Sequence, residues 1–235
     1  AEMLAYTKKP LMLLVSNEKF TSKILDIYSA ISQEVQIQSV CLYVNPISPM
    51  KIPKETVIRI EAALENDIPL VYSAYSMMGA TSPIRPEAAF VMHLAELLAG
   101  LIIIQTLKPG HPVALGMLPA RFDMQAMVGF YDYTSFQINL GCLEVMEHLG
   151  IPHAGTSGSG NGWGVDINAV SELWINHFPY GLMGKGMMPF IGGLFDSLVF
   201  SPELVVYSNE ILVQIRKFQS SAYNWQNTDM VQITK

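Results

Sequence analysis

Seven aromatic residues, Tyr75, Phe130, Tyr131, Tyr133, Phe136, Trp163 and Phe190, stand at or near the ends of apolar runs. Aromatic ring faces attract cations, quaternary ammonium groups above all, at ~0.5–2 kcal/mol per contact once water is removed. The same rings serve equally as packing, with Phe136 and Phe190 in the core and the tyrosines at the surface. The segments that follow the apolar runs also hold Asn45, Ser48, Ser76, Met78, Thr81, Asp123, His153, Ser157, Asn161 and Asp166. Few of these carry charge, so a site built from them is apolar, aromatic and hydroxyl-lined. His153 is either an acid–base group or a hydrogen-bonded core histidine. Asp123 is either a ligand clamp or a helix cap.

Other chemistries find no footing. The five histidines show no HxH, HExxH or Cys/His spacing, so no protein-bound metal is expected. Residues 153–164, HAGTSGSGNGWG, place five glycines in twelve positions. A dinucleotide fingerprint needs GxGxxG opening a helix, and a P-loop needs Gly-Lys-Ser/Thr; neither is present, and Trp163 opposes close backbone approach to a phosphate. Ser157 in GTSGSG lacks the strand–elbow–helix setting of a hydrolase serine. The net charge of −6, with no Lys/Arg cluster, speaks against nucleic acid.

The elements that must position these residues read as one α/β domain over 1–235. Six apolar runs are expected strands: 11–15, 40–44, 70–74, 113–118, 151–155 and 187–191. Most are continuously apolar, as parallel strands covered on both faces require. Between them, residues 22–33, 54–66 and 86–107 predict helices, the third opened by Pro86 and stopped by KPG at 108–110. Residues 132–150 predict another, with Thr134 or Ser135 as N-cap and Gly150 as its C-terminal glycine. Asp166 is expected to cap the helix after the glycine stretch, and 211–218 carries a further helical pattern. The stretch 88–107 is long enough to span a bilayer, but His93 and Glu96 interrupt it and predict a buried helix instead. Charged residues make up 14% of the chain, against roughly 25% in ordinary soluble domains. A chain with that deficit either buries most of its segments or hides surface in a homo-oligomer. Cys41 and Cys142, each in an apolar run without a spaced partner, predict free thiols in a reducing, cytoplasmic compartment.

Seven blocks then combine. PISPM (46–50), MMGATSPIRPEAA (77–89), AELLAGLIIIQTLKPGHPVALG (95–116), FDMQAM (122–127), DINAVSE (166–172), GGLFDS (192–197) and FSPELVVYSNEIL (200–212) follow in this order and spacing. Together they resemble the trimethylamine methyltransferase family, on the non-pyrrolysine branch that includes glycine betaine methyltransferases. The resemblance implies a partial TIM (β/α)8 barrel, matching six expected strands rather than eight. It implies transfer of a methyl group from a small methylated or quaternary amine to the cob(I)alamin of a separate corrinoid protein, in one-carbon metabolism or methanogenesis. Where some members carry pyrrolysine, this chain has ordinary residues, which shifts the expected substrate toward a quaternary amine.

On this reading Tyr75, Trp163 and Phe190 form an ammonium cage, with Thr81, Asp123 and His153 as orienting or catalytic polar groups. The glycine loop, through Gly155, Ser157, Gly158 and Gly160, faces the corrinoid and keeps the mouth open. Two departures from the family pattern, Asn168 in place of Gln and no His-Asp pair near Pro189 and Phe190, imply either altered substrate choice or lost turnover; the absent pair and the missing barrel strands favour a rival, a degenerate protein that binds a betaine or corrinoid without catalysis. A weaker rival is an unrelated α/β enzyme acting on an acyl or phosphate substrate.

Overall fold

Four continuously apolar runs form the parallel part of a sheet: β1 (Leu11–Leu14), β2 (Val40–Val44), β3 (Leu70–Met78) and β4 (Val113–Asp123). They hydrogen-bond in sequence order, with β3 and β4 in register over nine residues. The computed structural model describes residues 10–35, 40–155, 159–160, 162–183, 186–187, 190–195 and 198–220. The fifth expected strand appears as a parallel bridge between His153 and Leu115, and the sixth as a parallel bridge between Met187 and Ala154. The sheet therefore extends in chain order across six positions, as a curled half-barrel would.

β3 and β4 run past their expected ends at Ala74 and Leu118. Ser76 and Pro119 are poor strand residues, and Pro119 supplies no N–H. They are nevertheless register partners inside the ladder. Ser76 is accommodated because its hydroxyl is 2.9 Å from His93 Nε2 beneath the sheet. After β4 the chain turns at residues 124–127 into β5 (Val128–Phe130), which pairs antiparallel with β4.

Helices α1 (Thr21–Val35), α2 (Lys54–Glu65), α3 (Pro86–Leu107) and α4 (Tyr133–Leu149) connect these strands. One face of the sheet, with Leu42, Leu70, Tyr72, Leu115 and Met117, packs with Ile60 of α2, Leu97 and Ile104 of α3, and Met146 of α4. Each fully buried side chain of this size stabilises the layer by about 1.5–3 kcal/mol. Tyr43, Val71, Ala114 and Ala154 cluster on the opposite, inner face. Gly100 of α3 lies against the Tyr72 ring, which fills the space a methyl group would need.

The polar interruptions of α3 face the sheet. His93 joins Ser76 and, through Nδ1 at 3.0 Å, the carbonyl of Ala89. Glu96, 2% exposed, accepts from Ser48 Oγ at 2.8 Å and Met50 N at 2.6 Å. α3 is long and apolar enough to cross a membrane. Its two buried polar groups instead mark it as a covering layer, because each finds its partner in or above the sheet.

α4 is capped by Asp132, not by Thr134 or Ser135: Asp132 Oδ1 accepts from Ser135 N at 3.1 Å. Ser135 is thus the capped residue, three positions along. Gly150 ends the helix in the left-handed region, φ 69°, as expected. α5 (Ile167–Met183) begins after Asp166, whose Oδ1 accepts from Ala169 N at 2.9 Å. A small hairpin, β6 (Gly193–Leu194) with β7 (Val199–Phe200), precedes α6 (Pro202–Ser220). α6 starts nine residues before the expected 211, with Ser201 Oγ accepting from Leu204 N at 3.3 Å. The α5–α6 layer has its own core of Ala169, Leu173, Leu194, Leu204, Ile211 and Ile215. Cys41 and Cys142 are both free, and burial pushes the Cys142 thiol up to about 12.

Candidate functional site

Parallel α/β sheets place function at the carboxyl ends of their strands. An apolar cavity of about 390 Å³ lies at the other end, against Pro10, Pro69, Pro112 and Pro152. Each of these prolines stands just before a strand or bridge residue, where its missing N–H costs no ladder bond. This is the foot of the sheet. At the carboxyl ends, a second cavity of about 440 Å³ is lined by Met127, Val128, Gly129, Phe130, Trp163, Phe195 and Leu198.

Three elements converge on that cavity. The β4–β5 hairpin supplies Met127 and Phe130. Its turn is closed by Asp123, whose Oδ1 accepts from Gln125 N at 2.7 Å and Ala126 N at 3.0 Å. Those backbone donors, Ala126 first, hold the Asp123 carboxyl below its usual range. The segment before α5 supplies Trp163, and the turn after β6 supplies Phe195. These two segments are laced together: Gly160 N donates to Gly193 O at 3.1 Å and Phe195 N to Gly162 O at 3.2 Å. The Trp163 and Phe195 rings sit 4.3 Å apart between centroids, tilted by 35°. Trp163 is 81% exposed, so its ring is open to a ligand. Arg121, which does not line the cavity, sits 5.9 Å from the Phe130 centroid and pairs with Asp132 at 3.0 Å.

The three rings expected to act together are separated. Trp163 lines the rim cavity, while Phe190 packs edge-on against Tyr43 on the inner face, centroids 5.3 Å apart. Tyr75 lies in β3, one side chain from Met77 on the inward face, with Gly129 of β5 laid across both. A Cβ on Gly129 would come within 3.1 Å of Tyr75 Oη. Below them Ser73 and Tyr43 are buried and hydrogen-bonded, and burial pushes the Tyr43 hydroxyl up to about 12. Thr81 closes the turn after β3, its Oγ1 accepting from Met77 N at 2.9 Å.

His153 is 3% exposed and lies toward α4, with Asn139 and its ring both close to where a side chain on Gly155 would go. Burial lowers its pKa to about 4, so it is neutral at physiological pH. Gly155 and Gly160 are buried, and Ser157 and Gly158 lie outside the described residues. A Cβ on Gly160 would meet Glu172 Oε2 at 2.7 Å, and one on Gly162 would meet Ala169 Cβ at 2.8 Å. Glycine is used at both positions so that the segment can lie directly on the first turns of α5. No three His, Cys, Asp or Glu side chains cluster around a metal position among the described residues. Phe195 is the ring that strand-end reasoning passed over, because the two-residue strand before it carries no periodic signal.

The family model for trimethylamine methyltransferase matches residues 1–231. The chain belongs to that family. It is 25% identical over 175 residues to the trimethylamine methyltransferase MttB of Methanosarcina thermophila, covering 73% of this chain and 36% of the relative. It is 23% identical over 172 residues to the glycine betaine methyltransferase of Desulfitobacterium hafniense (strain Y51), covering 72% of this chain and 36% of the relative. The chain thus spans about a third of the length of these relatives. Membership of the trimethylamine methyltransferase family gives the aromatic rim a chemical context that a cavity alone does not have.

Proposed function

We propose that this chain forms the amine-holding part of a corrinoid-dependent methyltransferase, with a quaternary ammonium seated against Phe130 and the exposed ring of Trp163, which Phe195 backs. The observation that carries this reading is the cavity of three rings and a methionine at the strands' carboxyl ends, with no cation among its lining residues. Such walls favour a permanent cation through ring-face electrostatics without asking it to lose a hydrogen bond. The remaining strands of the complete protein would close the half-sheet into a (β/α)8 barrel, in the cytoplasm.

The residues around the cavity also suit a carrier protein. Met124, Met127, Trp163, Ile167, Leu198 and Phe200 are each more than 60% exposed, an apolar collar at one end of the sheet. Patches of this kind mark docking surfaces. A cob(I)alamin bound by its carrier would supply the electron pair that takes the methyl group. The C–N pair would stay with nitrogen, so a quaternary ammonium would depart as a tertiary amine with neutral nitrogen and no proton would move. Among the described residues that balance matches a pocket without a general acid, since Asp123 is spent on its own turn and His153 is buried away from the rim. The chain's task is then positioning and exclusion of water.

The lack of an acid–base group among the described lining residues equally favours a second reading, a protein that binds the amine without transferring its methyl. Calorimetry with glycine betaine and tetramethylammonium tests the shared premise. Trp163→Ala should weaken binding about tenfold, within the ~0.5–2 kcal/mol of a cation–ring contact, while Phe178→Ala on the far side of α5 leaves it unchanged. Equal affinity of wild type and Trp163→Ala removes the rim cavity as the amine site.

A further inference from the structure

Met127 and Phe195, which reach the rim cavity from different segments, both hold left-handed backbones, φ 55° and 47°. Bulky side chains are disfavoured there, because Cβ crowds the following carbonyl oxygen. Phe195 gains from its conformation: its N–H reaches Gly162 O and its ring lies against Trp163. Met127 closes the β4–β5 turn just before Val128, and its N–H donates to Asp123 O at 2.8 Å. Glycine or asparagine would make that bond without the crowding. The Met127 side chain is 68% exposed, so burial in the core does not offset the strain. Strain alone marks no site, since Met50 shares the φ of 55° and is also exposed. Met50 is held by Glu96 and does not line the cavity, whereas Met127 and Phe195 bring two strained side chains to one cavity. Such convergence is the pattern of a wall held ready for a ligand.

We infer, on the reading of the rim cavity as the amine site, that Met127 is its specificity-determining residue and selects a quaternary head over an ammonium that bears an N–H. The thioether is neutral, polarisable and at best a weak hydrogen-bond acceptor. It packs on N-methyl groups that share the positive charge, and offers little to an N–H. Among the described lining side chains the other polar atom is Trp163 Nε1, which is a donor only. A head with an N–H therefore gives up its bond to water without an equivalent acceptor on these side chains, a loss that a quaternary head does not incur. Glycine at 127 would relieve the turn and leave that wall open. Asparagine would relieve it and add an amide oxygen that accepts.

Calorimetry with tetramethylammonium and trimethylammonium chloride, paired with urea unfolding, tests this on the chain as it stands. Met127→Gly should raise the urea midpoint by roughly 0.3 M as the strain is relieved. The same variant should weaken tetramethylammonium binding about fivefold, the scale of one apolar wall lost to water. Met127→Asn should shift the ratio of the two affinities about tenfold toward trimethylammonium. Met50→Gly relieves the same strain away from the cavity, and should raise the midpoint while leaving both affinities unchanged. A purely structural Met127 would change stability and leave the ratio alone. A wild-type ratio in Met127→Asn overturns the role of Met127, as does unchanged tetramethylammonium binding by Met127→Gly or an equal loss in Met50→Gly. If Trp163→Ala still weakens binding in that case, the amine site itself stands. A wild type that binds neither cation overturns both.

Discussion

Acidification from pH 6.5 to 4.5 unfolds this protein, and three buried histidines drive it. His93, His153 and His177 are at most 3% exposed, and burial lowers each from 6.5 to about 4. His177, on α5, has no hydrogen-bond partner on either ring nitrogen among the described residues. Between pH 6.5 and 4 the unfolded chain binds protons at these sites while the folded chain does not. Stability is therefore complete above about 6.5 and is lost as the pH falls toward 4. With three such groups the slope approaches about 4 kcal/mol per pH unit, against a total stability of roughly 5–15 kcal/mol for a domain. The lowered carboxyls of Asp67, Asp123 and Glu203 act below their own ordinary range, outside this window. Urea midpoints measured from pH 7.5 to 4.5 should fall steeply below 6.5, and His177→Asn should remove about a third of the slope. A flat profile down to pH 5 would show that these side chains are not held neutral by burial.

Glu96→Ala carries the second large effect. Its carboxylate links α3 to the loop after β2, holding Ser48 Oγ and Met50 N at once. Truncation leaves both donors without their acceptor inside a buried layer, at a cost of about 3 kcal/mol. Glu96→Gln retains one accepting oxygen and should cost about half as much. Because residues 45–53 lie at the carboxyl end of the sheet, loss of this anchor also loosens the rim. Limited proteolysis of Glu96→Ala should cleave between residues 45 and 53 while wild type resists there. Equal urea midpoints for Glu96→Ala and wild type would contradict the account of α3 as a covering helix with an ionic inner face.

How far the sequence reveals this architecture follows from which signals are local. β1, β2 and the starts of β3 and β4 are legible as continuous apolar runs, and the helices between them as periodic ones. The ends of β3 and β4 are hidden because Ser76 and Pro119 look like loop residues, and only the register and the Ser76–His93 contact show otherwise. Side-chain parity is hidden for a deeper reason. A strand that is apolar on both faces has no alternation from which to tell inward from outward. His153 and Ala154 are adjacent, yet His153 belongs with the α4 layer and Ala154 with the inner cluster. Tyr75 and Phe190 were likewise legible as aromatic and near strand ends, but not as members of the inner face. Trp163 is legible by position, while Phe195 depends on backbone bonds between two segments 33 residues apart. The glycines of 155–164 are clear in the sequence, but their use at Gly160 and Gly162 is a packing fact set by α5.

The most direct test of the central claim is visible absorbance of cob(I)alamin mixed with this protein and, separately, glycine betaine, proline betaine, carnitine or trimethylamine. Amine-dependent conversion to methylcobalamin by the wild type is expected, strongest with a quaternary amine and reduced about tenfold by Trp163→Ala at limiting amine. A folded protein that binds a quaternary amine through Trp163 yet forms no methylcobalamin, with its corrinoid carrier supplied, would contradict methyl transfer and leave a binding protein.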